Sequence, residues 1–174
     1  VEGVWAAGDC AESRHLVTGA PIHVALGTVA NRQARVAGIN LGGGYATFPG
    51  VVGTAITKIC STEVGRTGLT EVEAAQHGFE VVAVRTESTT RAGYFPGSEP
   101  IHVKVVAERG TGRLLGGQIV GGPGSAKRID TLATAITAGM DVGQVVDLDL
   151  SYAPPFGPVW DPVQVACRAA VAKV

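Results

Sequence analysis

Three groups of side chains have the types and spacing for chemistry. The first is Gly8-Asp9, which closes the apolar run Val4-Trp5-Ala6-Ala7 and precedes Cys10, Ala11 and Glu12. A short apolar run that stops at Gly-Asp reads as a buried strand delivering a carboxylate to the carboxyl edge of a sheet, where open α/β sheets bind ligands. Asp9 there can accept hydrogen bonds from sugar or polyol hydroxyls, while free N–H groups at the start of a following helix favour phosphate. The second group is Asn31, Arg32 and Arg35, on the polar side of a helix expected over residues 24–39. An arginine fork suits phosphate through its paired donors. The third is Tyr94 and Tyr152, each beside a proline-rich turn whose stiff backbone would hold a phenolic donor in place. Each group also has a plainer reading. Asp9 fits a helix cap or turn, the arginines fit solvated helix charges, and the tyrosines fit packing against proline.

Other residues argue against other chemistry. Cys10, Cys60 and Cys167 are far apart, with no C-x-x-C, and read as small thiols outside any redox motif. His15, His23, His77 and His102 share no metal-ligand spacing, so no metal site is expected. Gly42-Gly43-Gly44 and Gly121-Gly122-Pro123-Gly124 have the wrong pattern for a dinucleotide fingerprint and read as turns. With 14 basic and 15 acidic residues the net charge is -1 and no basic stripe appears, which argues against nucleic acid as a partner. No apolar run reaches membrane-spanning length and Val1 begins no signal peptide, so a soluble, cytoplasmic protein is expected.

The elements that must position these residues can be read in order. After Asp9 a polar loop runs to Gly19, Pro21 ends it, and the helix of residues 24–39 stops at Gly42-Gly43-Gly44, with Pro49 and Gly50 completing a boundary. Residues 54–63 are β-branched and read as one strand, with a turn at residues 65–68. Thr70 and Glu73 form a capping box that starts a short helix ending at Gly78. A strand over residues 79–86, an aromatic turn at Tyr94-Phe95-Pro96-Gly97, and a hairpin of residues 102–107 and 113–120 follow. Ser125 is expected to cap a helix reaching Met140, Asp141 to cap a shorter one, and Asp161-Pro162 to open a last helix with Val163, Ala166, Cys167 and Ala170 on one face. Strand, helix, three strands and then helices is an α+β order.

Three of these segments together resemble one family. Trp5-Ala6-Ala7-Gly8-Asp9-Cys10-Ala11-Glu12 resembles the second flavin motif of the FAD-dependent pyridine nucleotide-disulfide oxidoreductases. Residues 21–33 resemble the helix whose start approaches the flavin ring in that family. Tyr152-Ala153-Pro154-Pro155-Phe156-Gly157-Pro158-Val159-Trp160-Asp161-Pro162 resembles the tail of its single-cysteine branch of coenzyme A-disulfide reductases and NADH oxidases and peroxidases. That tail replaces the His-Pro segment of two-cysteine members, and no histidine follows His102.

The resemblance implies an α+β dimerisation domain, an antiparallel sheet flanked by helices, over residues 49–174. The strand and helix of residues 1–48 would be the end of a Rossmann-like FAD-binding domain. It implies FAD contacts at Gly8, Asp9, Leu26 and Thr28, a substrate contact at Asn31, and Tyr152 and Tyr94 reaching in trans toward a partner's flavin and reactive sulfur, with Tyr152 also touching cofactor; Arg32 and Arg35 are expected to join Asn31 in binding substrate because their forks suit the phosphates of coenzyme A. Lys127-Arg128-Ile129-Asp130 is also typical of the family and, at a helix start, reads as structural. The implied activity is reduction of coenzyme A disulfide by NADH or NADPH in a homodimer, through a single cysteine not in this chain. NADH oxidase or peroxidase activity, with a small oxidant as acceptor, is the alternative. With no initiating Met and no first glycine-rich motif the chain is expected to be a fragment, inactive by itself and best described alone as a homodimerisation module.

Overall fold

The computed structural model describes residues 3–174, which divide into two compact units at the Gly53–Thr54 junction. In the first, β1 (Ser13–Arg14) pairs antiparallel with β2 (Pro21–Ile22), and α1 spans Gly27–Leu41. His15 forms a parallel bridge with Val51, Leu16 N donates to Val51 O at 2.8 Å and Val51 N to Arg14 O at 2.9 Å, so residues 50–52 are tied to β1. Gly50 is required there: at φ +113 a side chain would meet the Arg14 carbonyl at 2.4 Å. Val17, Val29, Val51 and Val52 are buried around this knot.

The expected strand ahead of Asp9 is not formed. Val4–Ala7 has no ladder partner among the described residues, and Val4 and Trp5 are exposed. An apolar run becomes a buried strand only when neighbouring strands take up its N–H and C=O groups. The helix expected over residues 24–39 is present but begins three residues later, at Gly27.

The second unit is built on a five-stranded, wholly antiparallel sheet ordered β3-β4-β7-β6-β5. Its strands are β3 (Ala55–Ile59), β4 (Thr62–Gly68), β5 (Val81–Thr89), β6 (Pro100–Glu108) and β7 (Leu114–Gly121). α2 (Glu71–Gln76) sits between β4 and β5; α3 (Ile129–Thr137), α4 (Val142–Val146) and α5 (Pro162–Val171) follow the sheet. α3 packs on β4 and β7, and α5 on β5 and β6. The core between them holds Ile101, Val103, Val105, Ile119, Ile129, Leu132, Val163 and Ala166, all essentially inaccessible. α3 can approach closely because Gly117 faces it without a side chain; a Cβ there would lie 2.6 Å from Leu132 Cδ1. This is the α+β architecture that the order of elements predicts.

Two local expectations are corrected. Residues 54–63 are not one strand but a hairpin that turns at Cys60-Ser61, pairing Ile59 with Thr62, and residues 65–68 lie inside β4. Cys60 adopts φ +53, so the reversal occurs where no glycine or proline marks it. Ser125 does not cap a helix. A 3-10 turn over Ala126–Arg128 leads into α3, the Ala126 amide donates to Glu63 Oε2 at 3.0 Å, and the Ser125 hydroxyl is buried without a partner among the described residues. The carboxylate arrives from a strand that lies alongside only after folding.

Both local capping boxes form as the sequence predicts for Thr70 and Glu73, with a second at Asp141 and Gln144, and Asp161 accepts from Val163 N at the head of α5. Burial by itself would raise the Glu73 carboxyl, but bonds from the Thr70 amide and hydroxyl and the Arg66 guanidinium outweigh it and hold it below the ordinary glutamate value. No helix among the described residues is long and apolar enough to cross a membrane.

Candidate functional site

The site residues fall in both units. In the first, the segment after Ala7 turns at Gly8, which takes φ +86. Its amide donates to Gln33 Oε1 at 2.8 Å, and Gln33 Nε2 donates to Ser13 Oγ at 3.0 Å. The buried Gln33 therefore ties the Gly8 turn, β1 and α1 together. Gln33 falls inside the helix motif, yet its spacing carries no sign that it would hold Gly8. Next to it, His23 Nε2 lies 2.8 Å from the Asp9 carbonyl oxygen and donates to it. The Asp9 carboxylate is exposed and has no hydrogen-bond partner among the described residues.

α1 begins without a capping side chain and without an acidic residue in its first turn. Val29 and Ala30 donate to Leu26 O, whereas the amides of Gly27 and Thr28 have no acceptor among the described residues. An uncapped helix start with free amides favours negative charge, and a free carboxylate nearby suits hydroxyls. The unengaged Gly27 and Thr28 amides and the unpaired Asp9 carboxylate suit a ligand that carries hydroxyls and an electron-rich edge, whereas the Leu26 amide is taken up by Val24 O at 3.0 Å.

On the polar side of α1 the three candidate residues differ in what they already engage. Asn31 Nδ2 donates to Gly27 O at 2.7 Å, leaving its own carbonyl oxygen available. Arg32 stacks over the Phe48 ring at 5.2 Å and donates to Gly50 O at 3.3 Å, so it fastens residues 48–50 to the helix. Only Arg35 has no partner among the described residues, and it is exposed.

In the second unit the two tyrosines, 58 positions apart in sequence, are brought together. Tyr94 lies on the connection from β5 to β6 and Tyr152 on the connection from α4 to α5, both exposed. The hydroxyl of Tyr94, the desolvation of the ring and the electrostatic effect of Tyr94 together hold the Tyr152 phenol above the ordinary tyrosine value. The connections are stitched to each other by Ala92 N donating to Pro154 O at 3.1 Å. Within the first, Arg91 Nη1 donates to Pro96 O at 3.0 Å and Thr89 Oγ1 to Arg91 O at 2.6 Å.

Arg128 clamps both connections. Its Nη2 donates to Thr90 O at 2.9 Å and Phe156 O at 2.6 Å, its Nη1 to Gly124 O at 3.0 Å, and its Nε to Asp161 Oδ2 at 3.2 Å. The structural reading of Lys127-Arg128 therefore holds for Arg128, but nothing local indicated that it would span two remote segments. Beneath the clamp lies an open cavity of about 500 Å³.

The cysteines divide by exposure. Cys10 and Cys60 are exposed, while burial pushes the Cys167 thiol up to about 12, so it stays protonated at neutral pH.

A five-stranded antiparallel sheet, backed by helices, presenting two clamped tyrosines defines a recognisable class of module. Residues 54–162 match the pyridine nucleotide-disulphide oxidoreductase dimerisation domain, and the chain belongs to that family. It is 46% identical over 168 residues to an NAD(P)H coenzyme A polysulfide/persulfide reductase of Pyrococcus horikoshii, covering 97% of this chain and 38% of the relative. An NADH oxidase of Methanocaldococcus jannaschii is 36% identical over 174 residues, covering all of this chain and 39% of the relative. Among solved structures, an NAD-dependent persulfide reductase from A. fulgidus superposes with a TM-score of 0.96 at 44% identity, covering 99% of this chain and 32% of that one. The chain thus spans less than two fifths of the length of these relatives.

Proposed function

We propose that this chain is the dimerisation domain, with the adjoining end of the FAD-binding domain, of a homodimeric flavin-dependent NAD(P)H oxidoreductase that cleaves a coenzyme A-linked sulfur–sulfur bond, as coenzyme A-disulfide reductase does. Residues 1–48 are assigned to the flavin domain and residues 49–174 to the dimerisation domain. The observation that carries this reading is the tyrosine pair. Two exposed phenols are held on clamped, proline-rich connections at an outward surface. That is the arrangement required of a donor that serves a thiolate on another subunit.

FAD held by these residues would supply two-electron transfer between NADH or NADPH and the sulfur–sulfur bond. The chain's own residues bind and orient. Asp9 accepts from the polyol hydroxyls, the Gly8 turn held by Gln33 sets its approach, and Leu26 and Thr28 at the start of α1 line the ring edge. Asn31 through its free carbonyl, and Arg35 through its free guanidinium, contact substrate; Arg32, engaged with Phe48 and Gly50, supports them. Overall, the two electrons of NAD(P)H break one sulfur–sulfur bond, and its hydride with one proton from solvent gives two thiols and NAD(P)⁺. Tyr152 and Tyr94, acting across the dimer, donate hydrogen bonds to the departing sulfur. The reactive cysteine is assigned outside this chain, since Cys10 and Cys60, though exposed, lie in no redox motif and the buried Cys167 is held protonated.

Tyr152→Phe in the parent protein, assayed by NAD(P)H oxidation with coenzyme A disulfide, should slow turnover at least about tenfold while leaving the flavin spectrum intact. Tyr94→Phe should lower the Tyr152 phenol toward the ordinary tyrosine range in a spectroscopic pH titration. Undiminished turnover in Tyr152→Phe would remove the assigned role. The similarity to an NADH oxidase favours a second reading with dioxygen or hydrogen peroxide as acceptor. Preference for either oxidant over coenzyme A disulfide in the same assay decides for it. Alone, the 174 residues act as a non-catalytic homodimerisation module, and exposed Tyr94, Phe156, Val159 and Trp160 supply the apolar surface such a role needs. Light scattering of the isolated chain should report a dimer.

A further inference from the structure

We propose that the cavity beneath the tyrosine connections binds a phosphate-bearing anion, with Arg91 and Lys127 as its cationic ligands. The site stands on the second unit alone; only the identity of its natural ligand rests on the proposed function. The cavity, about 500 Å³, brings together Arg91, Lys127 and Arg128, and Asp161 is the sole carboxylate in its wall. Asp161 is already engaged, accepting from Arg128 Nε at 3.2 Å and from Val163 N at 2.8 Å. A local surplus of cations stands out in a chain with 14 basic and 15 acidic residues. Like charges converging on one concavity repel, and a bound anion relieves that repulsion.

The cations differ in what they have left to offer. Arg128 has four of its five donors committed, to Thr90, Phe156, Gly124 and Asp161, so it serves chiefly as the wall. Arg91 is half-buried and faces no carboxylate among the described residues. One nitrogen, Nη1, donates to Pro96 O at 3.0 Å, and Gly97, at φ +74, lets the turn close against that nitrogen. The guanidinium is thereby oriented while the rest of its fork stays free, which lowers the entropic cost of binding. Lys127 pairs with Asp130 at 2.5 Å, but the two side chains are 73% and 54% exposed, so the pair is weak and exchangeable. Thr131 and Ser151, each with a hydroxyl, are residues of the same wall. A fork, an ammonium and two hydroxyls suit a doubly charged oxyanion, and the cavity is larger than one inorganic phosphate. A pyrophosphate or phosphomonoester end of a larger molecule fits this chemistry, and on the proposed function the source is the nucleotide end of coenzyme A.

The test is calorimetric titration of the 174-residue chain with sodium pyrophosphate, beside Arg91→Gln and Lys127→Gln. Each variant should bind about tenfold more weakly, and the wild-type affinity should fall as salt is raised. Competition by coenzyme A would name it as the source; pyrophosphate binding without competition would keep the site and assign it to another phosphate-bearing ligand. Absence of pyrophosphate binding at about 10 mM, an affinity too weak to matter, or equal binding by both variants, overturns the proposal. Tyr152→Phe should leave pyrophosphate binding unchanged, so failure of the tyrosine role and failure of the anion site are read separately.

Discussion

Replacing Arg128 by Met should unfasten both tyrosine connections, and the structure sets the size of the effect. The side chain donates to three carbonyls and pairs with Asp161 at 3.2 Å, where the two side chains are only 13% and 20% exposed. Gly124 and Phe156 are exposed, so their carbonyls can turn to water when the guanidinium is removed. Thr90 is buried and its carbonyl would be left unmet; the Asp161 carboxylate would keep the Val163 amide but lose its counter-charge. Two buried bonds to a charged group, at roughly 1.5–3 kcal/mol each, bracket a loss of about 3–6 kcal/mol, and the residual exposure of the pair favours the lower end. For a chain of this size about 3 kcal/mol lowers the melting temperature by roughly 6–12 °C. Thermal unfolding followed by circular dichroism measures it, with Lys58→Gln, on the exposed part of β3, as a control expected within about 0.5 kcal/mol of wild type. Arg128→Lys should recover only part of the loss, because an ammonium reproduces the charge but not the fork. In the folded Met variant the Tyr94 and Tyr152 ring resonances should lose their mutual dependence. An Arg128→Met protein that melts like wild type and keeps the Tyr152 phenol raised would refute the clamp.

Two further predictions follow from single residues. Cys60 turns the β3–β4 hairpin at φ +53, and Cys60→Gly should stabilise the chain by about 0.5–1 kcal/mol, since relief of left-handed strain exceeds the added chain entropy, whereas Cys60→Val should destabilise it; denaturant titration giving the reverse order would refute this. Burial raises the Cys167 thiol to about 12, so the folded state resists its ionisation and the unfolded state does not. That stability is whole below the ordinary thiol value near 9 and is lost as pH rises toward about 12. Compared with Cys167→Ala, the wild type should therefore lose more stability across that alkaline window, and parallel pH profiles would contradict it.

Much of the second unit was legible because its signals are local. Thr70 lies three residues from Glu73, and Asp161 sits beside Pro162, so the caps that start α2 and α5 are formed by neighbours along the chain. The alternation of β6 and the single apolar face of α5 likewise need only the period of each element. The β3–β4 turn escaped because Cys60 enters the left-handed region without a glycine to announce it. Val4–Ala7 was misread because strand character depends on neighbours that the run itself does not contain.

The candidate site divides in the same way. Residue type alone marked Asp9, Arg35, Tyr94 and Tyr152, since a carboxylate, a guanidinium or a phenol carries its chemistry wherever it is placed. Only tertiary structure decided that Arg32 would be occupied by Phe48 and Gly50, that Gln33 would hold Gly8, and that Glu63 would cap the turn Ser125 was expected to cap. It also decided that Arg128 would join Thr90 to Phe156 and Asp161. The physical reason is that a hydrogen bond is set by distance and angle between atoms. For caps and periodic faces the backbone brings those atoms together; for the clamp they meet only after the sheet and its helices have packed.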